Sequence, residues 1–325
     1  MSEQPVVCGI DEAGLGPLLG PLTIGWSAFE VDALDSNPWE LARAVVSKKP
    51  ADDKTRFVVA DSKVVYSRNA RGRKRLEHTA LGFLSLLRDG QTLPPDKGCV
   101  WGVGLGRDTG SIVEHPWYRP LRALPMWCEA ESLELRASRL AKGLLAAGVR
   151  PLDAGVRVLP AGELNRAFEH FGNKAGATWH FTVAVLAYLR ERFVGRPIKL
   201  DVDLQGGRRN YGPLLAQALP RDGVVLVDRD EEGATYRLER RGEPEVLVEF
   251  RAKHDDRSFP VALASCLAKY AREIAMDDFN AFFGELDGDL KPTAGYTQDG
   301  RRWLEDAAEA IRDAAVSRGM LVRSR

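Results

Sequence analysis

Apolar runs of strand length alternate with helical periodicities along most of this chain, and that order restricts it to layered α/β architectures. Val6, Val7, Gly9 and Ile10 form a first short run closed by Asp11 and Glu12, and a second run spans 22–29. The glycine- and proline-rich connection from Gly14 to Pro21 joins them as two strands. Residues 30–60 lose the pattern, and Asp35, Asn37, Pro38, Pro50, Asp52 and Asp53 mark a surface insertion with one short helix over 39–46. Helical spacing returns over 71–87, where Leu76, Ala80, Phe83, Leu84 and Leu87 share a side behind a basic first turn. Residues 98–105 predict a strand, 115–127 an irregular Trp/Pro-rich stretch, 130–147 a helix, 155–159 a strand and 175–193 a helix stopped near Gly195 and Pro197. A strand over 198–203 runs straight into Gln205-Gly206-Gly207-Arg208-Arg209. A helix over 211–218, strands over 224–228 and 245–251, a long helix over 260–283 opened by Pro260, and a helix over 301–315 complete the series. The expected fold is a mixed β-sheet flanked by helices.

A length of 325 residues suits two domains, or one with large insertions. Hydrophobic residues at 44% against 28% charged exclude a chain disordered throughout. The 46 basic and 46 acidic residues cancel, so a nucleic acid or anionic surface would have to be held by a local patch rather than by bulk charge. Cys8, Cys99, Cys128 and Cys266 are far apart and form no metal-ligand spacing, which fits reduced residues of a cytosolic protein. The opening residues lack a secretory pattern and no apolar stretch reaches the ~18 residues of a membrane span, so a cytoplasmic location with no membrane partner is expected.

The chemical signal lies in acids at the tips of apolar strands. Asp11 and Glu12 follow the first strand, Asp201 and Asp203 end a later one on a shared face, and Asp255 and Asp256 precede the long C-terminal helix. Any one of these reads as a turn residue or cap. Brought together they would repel and resist ionisation unless a cation neutralised them, and a hard divalent ion is the natural solution. Two such ions ~4 Å apart would activate water and stabilise the leaving oxygen in phosphodiester hydrolysis.

Gly9-Ile10-Asp11-Glu12-Ala13-Gly14-Leu15-Gly16-Pro17-Leu18, followed by Gly20-Pro21, resembles the opening of ribonuclease HII. Ala60-Asp61-Ser62-Lys63 resembles that family's D-S-K element, Ala262 to Tyr270 its A-A-A-S-I-L-A-K helix, and Ala294-Gly295-Tyr296-Thr297 its G-Y-G-T segment. The resemblance implies a ribonuclease H-like α/β fold over 1–283, with insertions near 30–60 and 106–128, and a C-terminal helical extension over 284–325 carrying the Gly-Tyr-Thr segment. It implies a metal-dependent endonuclease that uses Mg²⁺ or Mn²⁺ to cut the RNA strand of RNA–DNA hybrids or of ribonucleotide-containing duplexes. Its four acids would be Asp11, Glu12, Asp203 with Asp201 as alternate, and Asp256 with Asp255 as alternate. Counting from Pro260 selects Asp256 and counting from Ser265 selects Asp255, which leaves the choice open. The resemblance also implies nucleic-acid contacts at Gly14, Leu15, Gly16, Lys63, Ser265, Lys269 and Tyr296, the tyrosine against a sugar. Leu15 stands where the family has arginine, a departure that predicts better cutting of ribonucleotide runs than of single embedded ribonucleotides.

Arg68, Arg71, Arg73, Lys74 and Arg75 crowd a helix start, where positive charge is disfavoured, so phosphate contact is the expected reason for the cluster. Arg208 beside the Gly-Gly turn is a second expected phosphate contact. The five histidines show no zinc spacing, and His254 beside Asp255 reads as a loop residue. Two other readings compete: a non-catalytic nucleic-acid-binding module on the same scaffold, and an ATPase of the actin and sugar-kinase type. Gly9-Ile10-Asp11 resembles the first phosphate loop of such ATPases, but Glu12 and Leu15 occupy that loop and no second one follows.

Overall fold

The computed structural model describes residues 4–101, 110–205 and 208–324. Gly206, Gly207, residues 102–105 of the strand expected over 98–105, and residues 106–109 of the expected insertion lie outside the described residues. The strands are β1 (Val6–Ala13), β2 (Leu22–Glu30), β3 (Val46–Ser47), β4 (Phe57–Val58), β5 (Arg150–Leu159), β6 (Ile198–Asp203), β7 (Gly223–Arg229), β8 (Gly233–Glu239) and β9 (Val246–Arg251). Seven of them form one sheet in the order β5-β2-β1-β6-β9-β8-β7, and β3 and β4 pair separately. β1, β6 and β9 run parallel at the centre, while β2 and β5 on one side and β8 and β7 on the other are antiparallel. This is the mixed sheet flanked by helices expected from the sequence.

β1 is buried on both faces and apolar as far as Ile10, whereas β6 and β9 alternate, with Lys199, Asp201 and Asp203 on one and Glu249 and Arg251 on the other turned to the opposite face from their buried apolar residues. Val6, Cys8 and Ile10 pack with Leu200, Val202, Val248 and Phe250 against the helix Lys174–Arg192. The other face carries the helix Phe259–Leu286, which lies on β1 and β2 because glycines face it. A Cβ on Gly9 would stand 2.1 Å from the Val261 backbone nitrogen, and one on Gly25 2.2 Å from the Ala264 carbonyl oxygen. Ser27 and Thr23 on β2 donate to the carbonyls of Pro260 and Ala268, at 2.8 Å each, and so fix the helix along the strand.

Several expectations need correction. Residues 97–101 form a helix, capped by the Asp96 side chain that accepts from Cys99 N–H at 3.0 Å, where a strand was expected. A short apolar run has no period to separate the two states. The helix expected over 39–46 is Pro38–Leu41 only, because Val46 pairs with Phe57 in the small sheet. β8 and the helix Ala161–Phe171 were not expected, and β5 begins at Arg150 rather than at 155. The long helix continues to Leu286, through the boundary drawn at 283/284, and the last helix is two, Thr297–Asp306 and Ala308–Asp313. Trp303, Ala307, Ala310 and Leu321 share the core beneath the long helix with Phe279 and Phe283.

Candidate active site

Parallel pairing of β1 with β6 sets Gly9 beside Asp201 and Ile10 beside Val202, so Asp11 emerges next to Asp203 at the carboxyl ends of the two strands. The close seat of the long helix then brings Ser265 to Asp11, and the preceding 3-10 turn, His254–Asp256, to Asp203. Asp11 is 7% exposed. Burial first, then the charges of Glu12 and Asp203, push its carboxyl well above the usual range, against hydrogen bonds from the Ser265 hydroxyl and Glu12 N–H. Burial and the Asp203 charge raise Glu12 to about 7, partly offset by the Gln205 amide, 3.3 Å from Oε2, and by the Lys63 ammonium. Asp203 is raised by burial, while its Oδ1 accepts from His254 N–H at 2.9 Å. Burial and the charges of Asp61, Asp203 and Asp256 push Asp255 up to about 6. Asp11 therefore senses the charges of Glu12 and Asp203, and Glu12 and Asp255 each sense that of Asp203, while Lys63, whose side chain is 89% exposed, is too solvated to neutralise them.

Asp256 is exposed at the edge of this group, and its backbone carbonyl accepts from Lys48 Nζ at 2.7 Å. Asp201 shares the face of Asp203, as the strand period requires, but sits deeper with Glu249 and His254 in a set whose ligand atoms lie within 4.8 Å of one another. That tight set already holds a cation: Lys199 Nζ is 3.6 Å from Asp201 Oδ1 and 3.4 Å from Glu249 Oε2, and Arg251 pairs with Glu249. His254 is a buried residue rather than a loop position; its Nδ1 lies 3.3 Å from the Val202 carbonyl, the hydrogen bond a protonated Nδ1 donates.

The expected nucleic-acid contacts divide sharply. Gly16 is exposed, Tyr296 is half exposed, and Lys63 reaches toward the acids. Ser265 is corrected: it is 3% exposed and bonds inward to Asp11 and Ser62, with 3.1 Å between the two serine hydroxyls. Lys269 is also spent inside, 2.5 Å from Glu273 Oε1 and above the Tyr66 ring. The basic helix start is largely neutralised. Arg71 grips Asp53 with two hydrogen bonds, Arg73 grips Asp277 with two, and Arg75 is buried between Asp53 and the Val65 carbonyl. Carboxylates from elsewhere in the fold answer the charge at that helix N-terminus, and Lys74 alone of these four stands exposed with no ion pair among the described residues. Gln205, Asp61 and Ser62 were not singled out as site residues. The D-S-K element carried a signal for the last two, and Gln205 had none beyond following the strand.

The Gly14–Pro21 loop meets the Gly-Tyr-Thr segment directly, since Leu18 and Leu19 N–H donate to the Gly295 carbonyl at 2.7 and 3.1 Å. Arg323 is buried beneath the loop and donates to the carbonyls of Gly14 and Gly20. Leu15 lines a cavity with Lys174, Ala175, Thr178, Gln205 and Arg208. No helix among the described residues is long and apolar enough to cross a membrane.

No family model and no curated protein matches the chain. Among solved structures it is similar to the ribonuclease H2 from Pyrococcus horikoshii OT3, with 16% identity and a TM-score of 0.42 over 97% of this chain and 92% of that one. It is also similar to the RNase HII of Archaeoglobus fulgidus in a complex with PCNA, with 14% identity and a TM-score of 0.43 over 98% and 94%. Bst-RNase HIII in complex with Mn²⁺ gives 16% and 0.43 over 99% and 67%. At these values the likenesses carry no argument about the site, whose chemistry rests on the side chains described above.

Proposed function

We propose that this chain is a divalent-metal-dependent endonuclease that hydrolyses the RNA strand of RNA–DNA hybrids, with Asp11, Glu12, Asp203 and Asp255 as its acids. The observation that carries the reading is that β1, the end of β6 and the turn before the long helix bring carboxyls to one place, where burial first and the Asp203 charge after it raise Asp11, Glu12 and Asp255. Such a group is built for a cation, and an all-oxygen donor set selects a hard one, Mg²⁺ or Mn²⁺. Asp255 replaces Asp256 in the proposed set because Asp255 faces Asp203, whereas Asp256 is exposed. Bound metal would supply water activation and stabilisation of the leaving oxygen. The chain's own residues fix the carboxylates that do this: Ser265 orients Asp11, Gln205 holds Glu12, and His254 N–H holds Asp203. Exposed Lys63 is placed to meet substrate phosphate, and half-exposed Tyr296 to pack on a sugar.

The test is cleavage of an end-labelled RNA–DNA hybrid beside an all-DNA duplex, with Mg²⁺ or Mn²⁺ and with chelator. Cleavage confined to the hybrid strand and to the metal-containing samples is expected. Asp11→Asn removes charge and keeps shape, so it should lower the rate by at least ~10³-fold, of the order seen for loss of a central stabilising group, while the melting temperature stays level or rises. Near-wild-type cutting by that variant refutes the metal-site reading.

A further inference from the structure

Four residues of the helix Ala70–Ser85 fall on one of its sides, since Arg71, Lys74, Arg75 and His78 follow the i, i+3, i+4, i+7 spacing. With Asp53 and Lys54 they line a cavity of about 300 Å³, to which the helix Ala130–Ala146 contributes Ser132 and Arg136, one turn apart. Arg73 lies off this side and bonds Asp277 on the long helix instead. No residue of the proposed metal site lines the cavity.

Five cations line it against one carboxylate, and that carboxylate is divided between two of them. Arg71 donates to Asp53 through Nε and Nη2, and Arg75 Nη1 lies 3.3 Å from Asp53 Oδ2. Lys54, Lys74 and Arg136 form no ion pair among the described residues. The two lysines are exposed, whereas the Arg136 guanidinium is half-buried, 5.2 Å from the Phe57 ring, and donates to the carbonyls of Lys54 and Arg56 at 3.1 and 3.2 Å. Like charges three and four residues apart destabilise a helix, and a partly buried cation without an acid costs more. His78 registers the resulting field: burial first, then the charges of Arg136 and Lys74, push its ring down to about 4, so it stays neutral and adds no charge. An excess of positive charge converging on a hollow is complemented by an anion.

We propose that this cavity binds a multiply charged phosphate group, a terminal phosphate or a pyrophosphate, through Lys54, Lys74, Arg71 and Arg136. Its inner wall includes Arg75 and His78, 9% and 6% exposed, so a guest enters end-on. A phosphodiester within a duplex carries a single charge and continues on both sides, which confines it to the rim. A terminal phosphate carries about two charges near neutral pH and presents a free end. Arg71 is 61% exposed and uses Nε and Nη2 on Asp53, which leaves Nη1 for the guest, while the lysines supply mobile point charges. The assignment is independent of the nuclease reading.

The experiment titrates the full chain with inorganic pyrophosphate by calorimetry, in metal-free buffer at fixed ionic strength so that the acids take no part. A single saturable site is expected. Lys54→Gln combined with Lys74→Gln removes charge from two exposed positions and should weaken binding at least tenfold, the order of one charge-assisted contact. The melting temperature of that variant without ligand should stay level or rise, because like charges are removed. Arg136→Gln should weaken binding about tenfold as well. Lys142→Gln, at an exposed position of the same helix outside the cavity, should leave it unchanged. A second arm compares RNA–DNA hybrids with 5′-phosphate and 5′-hydroxyl ends, bound by the chain carrying Asp11→Asn. Tighter binding of the phosphorylated ends that the double lysine variant loses assigns the site to strand ends, and pyrophosphate binding without that difference assigns it to a free phosphate compound. No saturable pyrophosphate binding, or binding that neither the double lysine variant nor Arg136→Gln weakens, overturns the site. Hybrid cleavage tests the acids alone, so either reading fails without the other.

Discussion

The acids at the centre of the site are held in a protonation state that the chain alone makes costly to change. A carboxyl whose pKa is higher folded than unfolded takes up protons on folding, so stability is greatest below the unfolded value and declines as pH rises toward the folded one. For Glu12 that window runs from 4.5 to about 7, and burial is its largest cause. Without metal the melting temperature should therefore fall between about pH 5 and pH 8. Mg²⁺ or Mn²⁺ should raise it more at the upper end, because the ligands must be ionised to bind. Differential scanning calorimetry with and without the ion checks this, and an equal gain at both ends of the range contradicts it. Asp11 and Glu12 were legible because a strand stopped by two acids before a glycine loop is a local pattern. The choice between Asp255 and Asp256 was not, since it depends on which way a three-residue turn faces once the long helix is seated on Gly9.

At the scale of elements, sequence reading succeeded where a period ran long and failed where charge or polarity was answered from elsewhere. Strand 198–203 and the helices over 71–87 and 130–147 carry clear apolar periods, whereas residues 98–101 do not, and their helix depends on Asp96 and on buried Lys97, whose ammonium is 2.5 Å from Asp278. The five cations over 68–75 looked like a phosphate footprint because Asp53 and Asp277 lie outside that segment. Neutralising Arg71, Arg73 and Arg75 together should accordingly change the salt slope of hybrid binding by less than the ~0.9 of a single phosphate contact, against ~2.7 if all three touched phosphates. Arg73→Ala should instead act on the fold, lowering stability by ~0.5–1.5 kcal/mol as the two bonds to half-buried Asp277 are lost. Chemical denaturation and the same salt series distinguish the two outcomes.

Across the whole molecule, the loop that follows the first acids is held by residues from the far end of the chain. Arg323 N–H donates to the Leu18 carbonyl at 3.0 Å, its guanidinium donates to the carbonyls of Gly14 and Gly20, and Asn165 donates to the carbonyls of Gly319 and Val322 at 2.8 Å each. Arg272 from the long helix adds bonds to the carbonyls of Leu19 and Ala294. Burial, then the nearby Arg272 charge, pulls Arg323 down to about 9, so the guanidinium is retained there by carbonyl acceptors rather than by an acid. None of this follows from periodicity, since residue 323 meets residues 14 and 20 only after the sheet and both helical layers have formed. Arg323→Ala would strand two inward-facing carbonyls and should cost ~2–6 kcal/mol, at ~1–3 for each buried group left unpaired. Lysine at that position should recover only part of the loss, because an ammonium cannot span both carbonyls as a planar fork does. Asp11, Glu12 and Asp203 lie on strands that Arg323 does not touch, whereas the loop it pins is the proposed approach to substrate. Hybrid cleavage by Arg323→Ala, assayed well below its melting temperature, should therefore show a several-fold rise in KM with kcat held within about threefold, the signature of lost substrate positioning rather than lost chemistry. A fall confined to kcat would place Arg323 in support of the acids and not of the loop.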